Sequence, residues 1–301
     1  MSPDPQPGPV DMTAYKQYAD AHPTWIEYQC DRITPAWNPK YYYWPVDMQN
    51  PEVLKFLWSN YYLPILKTGY HTLDLDNAGA ENYTHACGHF DDNGRWVQEY
   101  TGKYEDPAWA AATTVAIHKI ADYVHGLSSL DILAINTRPT SYDAAEELRI
   151  MEQADLVLDE NGVTWESSDC GWNPPGGYCK ETIPKGWWRT TVNDALAYVS
   201  EGGCFWMIDR EPEQDVASAT PAERIWSVAN YLLMKGDCSY VTITGNSQYG
   251  ELVDYPELHT DYGTPIDLAT EQPDGTWVCH FTHAIVTVNP ESMTANIQIR
   301  N

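Results

Sequence analysis

Between Tyr70 and Thr244, short apolar runs of strand length alternate strictly with helical segments. The runs are Tyr70 to Asp76, Asp131 to Asn136, Asp155 to Asp159, Cys204 to Asp209 and Cys238 to Thr244. A sixth, Trp25 to Cys30, stands ahead of them. Strict alternation with continuously apolar strands predicts a parallel sheet covered by helices. The helices carry their own punctuation. Asn50-Pro51 is a cap followed by Pro at the first helical position, and Gly69 closes that helix. Asp106-Pro107 repeats the device and Gly126 ends it. Thr220-Pro221 with Glu223 spells a capping box for a helix reaching Lys235-Gly236. Shorter helices fit Tyr142 to Gln153 and Thr191 to Glu201.

A barrel and a doubly wound sheet both satisfy this alternation. No GxGxxG turn follows any strand, which removes the usual support for a dinucleotide-binding sheet. The fold class expected is therefore α/β, a TIM-type (β/α) barrel. About six parallel strands are legible against the eight of a closed barrel, so one or two N-terminal βα units are lacking from the count. Another chain or an upstream segment would then complete it. Trp277 to Asn289 and Met293 to Arg300 read as two further strands joined by Asn289-Pro290-Glu291-Ser292. They predict a small antiparallel element packed on the barrel. The organisation expected is an extension over 1–23, a barrel over 24–250 and a C-terminal β element over 251–301.

The length of 301 residues and an apolar share of 43% suit one large domain with a sizeable core. No apolar stretch is long enough to span a membrane. The polar, Pro-rich start from Met1 to Met12 does not read as a classical signal peptide. Asp and Glu number 43 against 17 Lys and Arg, a net charge of −26, which repels nucleic-acid phosphates. Aromatic residues are skewed, with 13 Trp and 21 Tyr but only 4 Phe. Trp and Tyr join a flat apolar face to a polar edge, as a platform for a sugar ring requires.

Seven Cys show no CxxC pair and no metal-finger spacing. Cys204 and Cys238 lie in apolar runs and read as buried thiols. Cys170 and Cys179 bracket a Gly/Pro-rich loop, which leaves a local disulfide open. His85, Cys87 and His89 have a spacing that fits a metal, but the Gly- and Asp-rich surroundings argue for a plain loop. No metal and no cofactor are expected.

The chemistry-bearing residues collect at the carboxyl ends of strands, where barrel enzymes place their sites. In Tyr70 to Asn77, Thr72, Asp74 and Asp76 share one strand face and Leu73 and Leu75 the other. Carboxylates on the inner face of a barrel strand are costly without a task or a partner. In Ala154 to Gly162 an apolar strand ends in Asp159-Glu160, then Asn-Gly turns the chain. Asp209 ends a third strand and Asn136 a fourth. Trp165 and Tyr249 are placed to line a sugar subsite. Glycoside hydrolysis needs one carboxylic acid to protonate the leaving oxygen and a second carboxylate to attack or to activate water. Asp76 and Glu160 are the expected pair, with Asp74, Asp159, Asp209, Asn136, Trp165 and Tyr249 in support.

Three segments in this order, Gly69 to Asn77, Ala154 to Glu160 and Phe281 to Pro290, resemble the glycosyl-hydrolase-like barrel families related to endo-α-1,4-polygalactosaminidase and melibiase-type barrels. In such barrels a strand ending in Asp-Asn and a later apolar strand ending in Asp-Glu carry the acidic residues. The resemblance implies a glycosidase acting on a polysaccharide or cell-envelope glycan, with Asp76 and Glu160 catalytic and Asp74 supporting. Its relatives have strands before the Trp25 segment, which implies a barrel completed from elsewhere, as within a phage tail. An extracellular or virion-associated setting goes with that reading. The alternative is a non-catalytic carbohydrate-binding or structural module on a degenerate barrel.

Overall fold

A computed structural model of the chain describes residues 21–36, 46–137, 144–160, 162–163, 185–211, 219–245 and 253–300. By internal contacts the chain divides into two units. The first comprises Met1–Asn136 and Ala145–Asp155, the second Thr137–Ala144 and Leu156–Asn301.

In the first unit, helix α1 covers residues 51–66 and includes a π-helical turn at Trp58–Tyr62. The Asn50 side chain accepts the Glu52 N–H, and Gly69, at φ 104°, turns the chain out of it. Strand β1 (Thr72–Leu75) follows, with Leu73 and Leu75 buried and Thr72 and Asp74 exposed. A short antiparallel hairpin, β2 (Gly88–Phe90) with β3 (Trp96–Gln98), comes next. Helix α2 (Pro107–His125) is capped by Asp106 and buries one face, from Ala110 through Ile117 and Ile120 to Val124. It leads into β4 (Ile132–Asn136), which pairs in parallel with β1 from Thr72↔Ile132 to Leu75↔Ile135. Helix α3 (Ala144–Met151) then buries Ile150 and Met151.

The second unit holds the parallel strands β5 (Leu156–Asp159), β6 (Cys204–Glu211) and β7 (Tyr240–Gly245). Helices α4 (Lys185–Ser200) and α5 (Pro221–Leu233) lie between them in the chain. The capping box at Thr220 and Glu223 forms as its sequence dictates. After β7 the chain builds a four-stranded antiparallel sheet in the order β11-β10-β9-β8, from β8 (Thr270–Glu271), β9 (Trp277–His280), β10 (Ala284–Asn289) and β11 (Thr294–Ile299). Alternate residues Ala284, Val286 and Val288 of β10 are fully buried, and α5 packs against β10 and β11. Trp188 of α4 meets Trp277 of β9 edge-on at 5.6 Å and donates its indole N–H to Asn230 of α5. That satisfies a buried indole and ties both helices to the antiparallel sheet.

In the first unit β1 and β4 are parallel neighbours, and in the second β5, β6 and β7 are parallel neighbours in that order. Apart from the β2–β3 hairpin this is chain order, with no reversal. A nucleotide-binding doubly wound sheet reverses its order at the switch point. The predicted alternation is therefore realised as a mixed α/β fold, with five parallel strands among the described residues where about six were expected.

The missing sixth is the Trp25 to Cys30 run. Pro23–Trp25 is a 3₁₀ turn, and the following residues make only isolated bridges, Ile26 with Val46 and Tyr28 with Pro35 and Gly88. The Tyr28 N–H goes to the Gly88 carbonyl, and the Tyr28 carbonyl accepts the Cys87 N–H. Local partners thus take the hydrogen bonds that a sheet strand would use. The C-terminal element is also larger than two strands, because a turn at Phe281–His283 splits the first predicted run into β9 and β10.

The reading of Cys204 and Cys238 as buried thiols is corrected, because they form a disulfide with a Cα–Cα distance of 5.0 Å. The register explains it. Trp206 pairs with Tyr240, so the residues two before each, Cys204 and Cys238, lie opposite one another at the amino ends of β6 and β7. Cys30 and Cys87 form a second disulfide. Cys279 is a buried free thiol, and burial pushes it up to about 12. Cys170 and Cys179 lie outside the described residues, as does most of the extension expected over 1–23.

Candidate functional site

The β1–β4 register sets the first grouping. Leu75 pairs with Ile135, so the next residues, Asp76 and Asn136, emerge side by side at the carboxyl ends of the two strands. Asn136 donates its side-chain N–H to Asp76 Oδ1 at 2.9 Å. Asn77 donates to Asp76 Oδ2 at 2.8 Å. Asn77 sits at φ 55°, a left-handed conformation that Asn adopts more readily than most residues, and its amide folds back onto its neighbour. The Ala78 N–H then returns to the Asn136 carbonyl. Asp76 is exposed, with each carboxylate oxygen held by an amide donor. Asp74 lies on the exposed face of the same strand. Beyond Asp76 a small cleft opens within this unit, lined by Asn77, Gly79, Glu81, Tyr83, Trp109 and Thr113.

In the second unit the carboxylates at strand ends fasten the backbone. Asp159 is fully buried and accepts the Gly162 N–H through Oδ1 at 3.2 Å. Asp209, equally buried, accepts the Val163 N–H at 2.9 Å through Oδ1 and the Ser227 hydroxyl through Oδ2. Gly162 adopts φ 59° against the Asp209 side chain, where a Cβ would stand 2.4 Å from Oδ1. Asp209 thus braces the exit of β5 against α5. Glu160 follows Asp159 and is half-buried. Asp76 and Glu160 belong to different units. Trp165 and Tyr249 lie outside the described residues.

A second grouping in the first unit escaped the sequence reading. Glu27, Asp47, His89 and Glu99 bring one ligand atom each to within 4.8 Å of the others. His89 Nδ1 lies 3.1 Å from Glu99 Oε2 and 3.7 Å from Asp47 Oδ2. Burial and the neighbouring charges of Glu99 and Asp47 raise the Glu27 carboxyl to about 10, and Asp47 is raised chiefly by burial. The grouping His85, Cys87 and His89 does not form. Cys87 is oxidised, and His85 Nδ1 bonds the Gly102 carbonyl. The four clustered residues are spread over 73 positions of chain, so no spacing in the sequence announces them.

Among the described residues no helix is long and apolar enough to cross a membrane. No known family model matches the sequence, and no curated protein is detectably similar to it.

Proposed function

We propose that this chain is a glycoside hydrolase of the (β/α)-barrel type that acts on a polysaccharide or cell-envelope glycan, with Asp76 as its working carboxylate. The reading rests on one observation. Asp76 stands exposed at the carboxyl end of a parallel strand, with Asn136 and Asn77 each holding one of its oxygens. A carboxylate so fixed loses little freedom when it meets an anomeric carbon or a water, which is the positioning part of catalysis. Glu160, at the end of β5, is the proposed second carboxylate and the acid that protonates the leaving oxygen. Asp74 extends the polar face beside Asp76.

Parallel neighbours that follow chain order within each unit, β1 beside β4 and β5 beside β6 beside β7, support the barrel part of the reading, since unreversed parallel winding is how such barrels are built. In this reading a further segment or chain completes the sheet beyond β1. Trp and Tyr side chains supply stacking surfaces for sugar rings. Two disulfides suit an oxidising, extracellular or virion-associated setting.

The test is release of reducing ends from a panel of envelope and capsular glycans by wild type, Asp76→Asn and Glu160→Gln. Turnover by wild type, with loss of a thousandfold or more in both variants, supports the proposal. Glycan binding without turnover in wild type would replace it with a carbohydrate-binding module. Turnover unaffected by either substitution would remove these residues from the mechanism.

A further inference from the structure

We infer that Glu27, Asp47, His89 and Glu99 form a closed binding site for one divalent transition-metal ion, of the Zn²⁺ or Mn²⁺ kind, that staples the N-terminal part of the first unit.

The site is assembled from four pieces of backbone. Glu27 lies in the segment whose neighbours Ile26 and Tyr28 bridge to Val46 and Gly88. Asp47 directly follows Val46. His89 sits on β2 and Glu99 just beyond β3, and the pairing His89↔Val97 puts His89 and Glu99 on the same face of the hairpin. All four donor atoms fall within 4.8 Å of one another. Ligands at about 2.0–2.2 Å from a common ion are spaced within that limit.

Burial makes the cluster more than a patch of acids. Glu27 is 1% exposed and Asp47 4%. Among the described residues neither buried Glu27 oxygen has a hydrogen-bond donor, and one of the two lies within the group. Three carboxylates converge here, yet among the described residues no Lys or Arg forms an ion pair with any of them. Buried acceptors without donors, gathered around one point, are what a cation satisfies.

The shell beyond the ligands is also ordered. Asp47 Oδ1 accepts the Gln49 and Asn50 N–H groups, which leaves Oδ2 facing His89. The Gln49 amide holds the buried Tyr100 phenol beside the cluster. Such outer contacts fix ligand orientation.

The donor set selects the class of ion. An imidazole nitrogen favours transition metals over Ca²⁺ and Mg²⁺, and four enclosed protein donors are fewer than the oxygens Ca²⁺ requires. A closed shell matches a structural site rather than a catalytic one. The ion would tie residues 27, 47, 89 and 99 together beside the Cys30–Cys87 disulfide, in a region whose only regular sheet among the described residues is the β2–β3 hairpin.

The experiment uses the full chain, purified without a polyhistidine tag, stripped with chelator and reloaded separately with Zn²⁺, Mn²⁺, Ca²⁺ or Mg²⁺. Metal content and Tm are measured after removal of free ion. The expected result is about one Zn²⁺ or Mn²⁺ per chain, with a Tm several degrees above the stripped protein. Glu27→Gln and His89→Gln should each weaken loading tenfold or more. Glu27→Gln should also remain folded without metal, because it removes one of the converging charges. Retention of no ion and no Tm response would overturn the proposal and leave Glu27 sharing a proton with Glu99. Stabilisation by Ca²⁺ or Mg²⁺ alone would overturn the assigned class. Loading undiminished in both variants would place the metal elsewhere.

Discussion

Asn136 and Asp76, sixty residues apart in the chain, are joined by a 2.9 Å hydrogen bond because β1 and β4 are parallel neighbours in a fixed register. The bond holds a carboxylate that Asn77 grips from the other side. If Asp76 works as proposed, Asn136→Ala keeps the carboxylate but frees its orientation. A hydrogen bond to a charged group is worth about 1.5–3 kcal/mol. The expected loss in kcat/KM on the best glycan is therefore roughly ten- to hundredfold, carried mainly by kcat. Steady-state kinetics with circular dichroism as a folding control check it. A loss as complete as that of Asp76→Asn would mean that Asn136 touches substrate itself.

Asp209 is expected to be a stability residue. Its removal leaves the Val163 N–H and the Ser227 hydroxyl without their buried acceptor. Asp209→Ala should cost about 2–4 kcal/mol in urea unfolding. Gly162→Ala should also destabilise, because its φ of 59° and the Asp209 side chain beside it leave no room for a Cβ. An unchanged unfolding midpoint in both variants would refute the bracing role.

The Cys204–Cys238 disulfide closes a loop of 34 residues between neighbouring strands. A double Cys→Ser variant should lose about 3–4 kcal/mol by the chain-entropy relation. Non-reducing peptide mapping should recover the 204–238 and 30–87 pairs from the native protein. Free thiols at these positions would contradict the fold at the starts of β6 and β7.

Asp194 on α4 is buried, its Oδ2 has no hydrogen-bond partner among the described residues, and burial raises its carboxyl from 3.8 to about 7. The folded state therefore holds this proton more tightly than the unfolded chain. Its contribution to stability is fully present below about pH 4, is lost as pH rises towards 7, and stays lost above. Asp194→Asn should flatten that slope and stabilise the protein by about 1 kcal/mol at pH 8. The comparison is Tm against pH for the two proteins, and parallel curves would sink the prediction.

The sequence by itself determined the local elements. Caps at Asn50, Asp106 and Thr220 were legible because a cap is a contact between residues two or three apart. The apolar runs that became β4, β5, β6 and β7 were legible because strands covered on both faces, in whole or in part, read as near-continuous apolar runs. The face alternation of β1, with Leu73 and Leu75 buried and Asp74 exposed, followed from the two-residue period. The Trp25 to Cys30 run satisfied the same local rules yet failed as a sheet strand, because its backbone hydrogen bonds went to Ala36, Asp47, Cys87 and Gly88.

Tertiary structure decided everything that depends on register and on distant segments meeting. Register turned two apolar cysteines into a disulfide and set Asn136 against Asp76. It also made Asp209, which from sequence looked like a site residue, into a brace for Val163 and Ser227. Glu27, Asp47, His89 and Glu99 are each unremarkable in their own stretch of sequence. Only the folding of four distant segments around one point gives them a shared charge, a shared burial and a chemistry.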